Sequence, residues 1–79
     1  MLEVVGMTTR AQREIDGNTT HLIMHTYEIL YDNTGNTHII IRDCDTQQRT
    51  HIQLPFYERD IDKIYEVAMA VIKSGIYND

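Results

Sequence analysis

HLIMHTYEILY, residues 21–31, decides how this chain is read. His21 and His25 stand four apart, the spacing that on a helix turns two imidazoles toward one ion. The rest of the stretch argues for a strand. Ile23, Tyr27, Ile29 and Tyr31 hold odd positions, Leu22, Met24 and Leu30 hold even ones, and β-branched and aromatic residues dominate. On a strand the two histidines lie about 13 Å apart, four steps of roughly 3.3 Å, and cannot share an ion. No metal and no other cofactor is expected.

Turn chemistry brackets this strand. Asp16-Gly17-Asn18 precedes it and Asp32-Asn33-Thr34-Gly35 follows, with Gly and Asn tolerant of positive φ and Asp able to bond back to the backbone. Asp45-Thr46-Gln47-Gln48 is a weaker turn. The segments between, 2–15, 21–31, 37–44 and 49–56, read as antiparallel strands joined by short connections, the first less regular than the others. Pro55 ends the last of them.

From Asp60 the period changes. Ile61, Ile64, Tyr65, Ala68, Val71 and Ile72 fall three and four apart on one helical face, which predicts a helix over about 58–74. Glu58, Asp60 and Asp62 lie around its positive end, Lys73 lies in its last turn, and Gly75 with Ile76 is expected to form a hydrophobic C-cap against Val71 or Ile72. The fold class expected is α+β: a four-stranded antiparallel β-meander followed by one C-terminal amphipathic helix packed on one sheet face, a single domain over 1–79.

A bulged turn at 32–35 would set Asp32 opposite Asn36, Ile29 opposite Ile39 and Tyr27 opposite Ile41. One face then carries Ile23, Tyr27, Ile29, Tyr31, Ile39 and Ile41, enough for the helix to cover. The other carries Leu22, Met24, Leu30, Ile40 and Cys44, interrupted by Glu28 and Arg42. One helix covers one face, so the second calls for a further layer: a second copy, the N-terminal segment or another protein.

Catalytic readings are weak. Cys44 opposite His51 could pair a thiolate with a base, with Asp43 or Asp45 as orienting group, but a lone cysteine is usually a small buried hydrophobe. No Gly-rich phosphate loop, CxxC pair or hydrolase motif occurs, so no enzyme is expected. Tyr27 and Tyr31 could stack bases with Arg10, Arg13 or Arg42 nearby, yet both fall on the face assigned to the core.

Twelve acids against seven bases leave a net charge of −5, which disfavours direct binding to nucleic acid or anionic lipid. The single cysteine, the absence of a signal-like N-terminus and the lack of a long apolar run point to the cytoplasm and away from the membrane. A core of this size gives only about 3 to 5 kcal/mol, so self-association is an expected source of further stability.

In size, acidity and ββββα plan the chain is similar in general character to small phage and mobile-element proteins that block a host enzyme, anti-CRISPR proteins among them. That likeness involves no shared motif. Together with the uncovered second face it leads to the expectation of a non-enzymatic interaction or inhibitor module, homodimeric through that face and bound to a protein partner that handles nucleic acid, in the host cytoplasm if phage-encoded. Leu22, Met24, Leu30 and Ile40 are the expected anchors, Glu28 and Arg42 set register, and Glu58, Asp60 and Asp62 form an acidic rim. The alternative is a small nucleic-acid-binding regulator that uses the sheet or the basic N-terminal hairpin with Arg10 and Arg13.

Overall fold

A computed structural model describes residues 2–74. Four strands, β1 (Glu3–Asp16), β2 (Thr19–Asp32), β3 (His38–Asp43) and β4 (Arg49–Gln53), are followed by one helix, α1 (Ile61–Lys73). The strands pair antiparallel in the order β1-β2-β3-β4, an α+β meander with its C-terminal helix packed on one face.

The core lies between α1 and the odd-numbered face of β2. Tyr27, Ile29, Ile39, Ile41, Ile64 and Ala68 have no exposed surface, and Ile72 has almost none. Helix length limits what is covered. Thirteen residues of helix span about 20 Å, whereas the fourteen of β1 or β2 span about 46 Å. The far half of the β1–β2 hairpin therefore projects as a two-stranded arm, and the molecule measures 48 Å along its long axis and 18 Å across.

The arm closes on a two-residue turn between Asp16 and Thr19, with Gly17 at φ 61°. Glycine at the first central position is what a type II′ hairpin requires. Along β1 the pairing shifts between Val4 and Gly6, so Val5 bulges. The bulge reverses the alternation, and Val4 and Met7 come to share a face despite their odd separation. This is why the segment reads as irregular although it is a full-length strand. It is part of the sheet itself, so it does not cover the second face.

The register between β2 and β3 differs from expectation. Tyr31 faces Ile39, Ile29 faces Ile41, Tyr27 faces Asp43 and Asp32 faces His38. A slip of two residues leaves every side chain on its expected face. Its cause is Thr37, fully buried and drawn out of the β2 ladder: Thr37 N donates to Phe56 O at 3.1 Å, and Leu54 N donates to Thr37 O at 2.9 Å. The Thr37 hydroxyl accepts from Glu58 N at 2.7 Å and donates to Asn33 Oδ1. The connection widens to Asn33–Thr37, with Gly35 at φ 81° and Asp32 Oδ1 accepting Thr34 N at 2.8 Å.

The same latch shortens β4, which ends at Gln53 rather than near residue 56, because the main chain of residues 54–58 turns to Thr37. The helix starts later than expected. Asp60 is its N-cap, its side chain accepting Asp62 N at 2.9 Å, and Ile61 in the first turn stays 38% exposed. At the other end Ser74 Oγ donates to Val71 O at 2.7 Å. The C-cap expected from Gly75 and Ile76 lies outside the described residues.

Candidate functional site

The face turned away from α1 is assembled by register. Val4 faces Leu30, Met7 faces Glu28, Ala11 faces Met24, Arg13 faces Leu22 and Ile15 faces Thr20. Across β3, Leu30 faces Ile40 and Glu28 faces Arg42. The apolar members remain in water: Val4 is 58% exposed, Met7 56%, Ile15 73%, Leu22 70% and Met24 57%. Together they leave on the order of 500 Å² of apolar surface, comparable to the largest patch on a typical monomer, which is often functional.

The expected anchors fall into two groups. Leu22 and Met24 sit on the arm, while Leu30 and Ile40 are half-buried at the broad base of the sheet. Between them Arg42 directs Nε and Nη2 onto the same oxygen, Glu28 Oε1, at 3.1 and 3.0 Å, and its Nη1 donates to Gln47 Oε1 at 3.0 Å. This pair bridges β2 and β3 on an otherwise apolar stripe. Val4, Met7 and Ile15 complete the face and escape the sequence reading; the Val5 bulge puts Val4 out of phase with the odd-numbered residues that follow. The odd-numbered alternation Met7, Thr9, Ala11, Arg13, Ile15 was the available signal.

The acids do not border the arm. Glu58 Oε1 accepts Asp60 N at 3.0 Å, Asp60 caps α1, and Asp62 is exposed in its first turn. Glu58 is bonded to Asn33 and Thr37, about 35 Å along the strand direction from Leu22, and Asp60 and Asp62 follow it closely in the chain. Glu58 and Asp60 thus serve local hydrogen bonding, and the acidic group rims only the base of the sheet.

Cys44 does not face His51. Ile40 faces His51 and Arg42 faces Arg49, so Cys44 lies past the end of that ladder in the β3–β4 turn, its N–H donating to Thr26 O at 2.8 Å. His51 Nε2 instead meets His38 Nδ1 at 2.9 Å. Tyr27 is fully buried, and the Tyr31 hydroxyl donates to Glu3 Oε2 at 2.7 Å, a bond that raises its pKa. Arg10 and Arg13 emerge on opposite faces of the arm, since Arg10 faces His25 and Arg13 faces Leu22. They form no common basic surface.

His25, Asp43 and Asp45 bring ligand-type atoms within 4.8 Å of one another. The nearest of these atoms are already engaged. A carboxylate only accepts, so His25 Nδ1 donates to Asp43 Oδ2, at 2.9 Å. Asp43 Oδ1 accepts Asp45 N at 2.8 Å and Thr46 N at 3.1 Å, and Asp45 Oδ2 accepts Thr26 N at 3.0 Å. Burial pushes the Asp43 carboxyl up, but these bonds outweigh it and hold its pKa below the ordinary value. The group staples the β3–β4 turn to β2.

No cavity opens among the described residues, and no helix among them is long and apolar enough to cross a membrane. Comparison with known proteins finds no matching family model, no matching curated protein and no matching solved structure.

Proposed function

We propose that this chain is a non-enzymatic protein-interaction module whose open sheet face is the binding surface. The observation that carries the reading is the stripe of Val4, Met7, Ile15, Leu22 and Met24, each more than half exposed on one face of one sheet. A face that no element among the described residues covers gains most by excluding water against a partner. Leu30 and Ile40 extend the stripe, and the bridged Glu28 and Arg42 give it orientation. Inhibition of a nucleic-acid-handling enzyme is the form of this activity in keeping with the small size and acidity of the chain, with Glu58 and Asp62 meeting basic surface at one end while Asp60 caps α1.

Affinity capture from the native host tests the reading, with wild-type, Leu22→Asp and Met24→Asp chains as baits of equal melting temperature. A protein held by wild type and released by both variants supports it. A partner retained by both variants, or one whose retention needs added nucleic acid and falls steeply with salt, overturns it.

A further inference from the structure

We propose that two copies of this chain associate through the outer edge of β1, pairing antiparallel about a two-fold axis at Gln12, so that Arg10 of each copy faces Glu14 of the other. Pairing at this edge leaves the open face of the sheet available to other partners.

The edge is long and open. β1 runs fourteen residues, and among the described residues no strand pairs with its outer side. β3 accompanies β2 only over Tyr27–Asp32, which leaves the arm two strands wide. A two-stranded ribbon is marginally stable in water by itself. Proteins blunt such edges with proline, a bulge or charged side chains. β1 has no proline, its one register shift lies between Val4 and Gly6, at the end away from the arm, and its charges along the arm, Arg10, Arg13 and Glu14, admit a second copy only in a register that pairs them.

The backbone is oriented for pairing. Thr26 directs its N–H and C=O toward the β3–β4 turn, to Asp45 Oδ2 and Cys44 N. Its partner across the ladder, Thr9, therefore directs its own outward, as do Ala11, Arg13 and Ile15 at the same alternation.

Charge selects the register. A two-fold axis normal to the sheet sets each side chain opposite one on its own face, so the axis must pass through a residue. At Arg10, Arg13 or Glu14 it would oppose that charge to itself, and at Ala11 it would form no ion pair. At Gln12 it gives two Arg10–Glu14 pairs, with Thr9 opposite Ile15 and Ala11 opposite Arg13. The four outward pairs exchange about eight main-chain hydrogen bonds. The arms become a four-stranded ribbon, with Ile15, Leu22 and Met24 of both copies on one side.

Sedimentation equilibrium on the full chain is expected to show a concentration-dependent dimer. Arg10→Glu or Glu14→Arg alone should weaken it by roughly tenfold or more, and the two together should restore it, because the pairs re-form with reversed sign. Ala11→Pro removes an outward N–H without touching the ladder to β2, and should give a folded monomer. Hydrogen exchange at Thr9, Ala11, Arg13 and Ile15 should slow on dimerisation. A monomer at every concentration overturns the proposal. So does a dimer indifferent to Ala11→Pro and to both charge reversals, or one lost with Met24→Asp alone, which would place the second copy on the open face.

Discussion

His25 Nδ1 donates to Asp43 Oδ2 across 2.9 Å, and the two side chains are only 13% and 2% exposed. The bond joins β2 to the end of β3 at the root of the two-stranded arm. Asp43 also collects the backbone N–H groups of Asp45 and Thr46, so one carboxylate serves both a strand contact and a turn.

Its titration gives the first prediction. The folded-state pKa of Asp43 is depressed, burial being outweighed by the bonds from His25, Thr46 and Asp45. A depressed carboxylate contributes stability that is fully present above the unfolded value of about 3.9 and is lost as pH falls through the folded value. Denaturant melts should therefore show wild type losing stability more steeply below about pH 4 than Asp43→Asn. At neutral pH Asp43→Ala should cost about 3 kcal/mol, since it strands three donors around a buried site.

Thr37→Val tests the latch that sets the β2–β3 register. Valine matches the shape of threonine but offers nothing to Glu58 N or Asn33 Oδ1. The expected loss is about 1–3 kcal/mol in urea unfolding, and serine should recover most of it.

The helix cap is a smaller and separable term. Asp60→Ala removes the acceptor for Asp62 N and should cost about 1 kcal/mol, whereas Asp60→Ser should cost much less. Neither substitution should disturb binding through the open face if the cap is the main role of this acid. A loss of partner affinity beyond the stability effect would instead assign Asp60 to the interface.

What was legible in the sequence follows from which signals are local. The β-branched and aromatic residues of 21–31 between two turn sequences, and the period of three to four from Asp60, are written directly into residue order, and the strand and the helix both appear in the fold. The β2–β3 register was not legible, because it depends on Thr37 meeting residues 54–58, a contact between distant segments. The Val5 bulge likewise put Val4 out of phase with Met7 and Ile15, which share its face. A single unpaired residue inverts the alternation, and nothing in the composition of EVVGM marks which residue is the extra one.

The two faces of the sheet should respond oppositely to substitution. Ile29 and Ile41 are fully buried against α1, so Ile29→Ala or Ile41→Ala should cost about 2–5 kcal/mol, comparable to the whole stability of a domain this small. Leu22 and Met24 touch water over most of their surface, so Leu22→Thr and Met24→Thr should shift stability by no more than about 0.5 kcal/mol. Threonine keeps the strand propensity and removes most of the apolar area, so any loss of partner affinity in these variants reports on recognition rather than folding. Chemical denaturation together with partner titration separates the two effects. Equal destabilisation by both sets of substitutions would mean that the open face is already covered in solution.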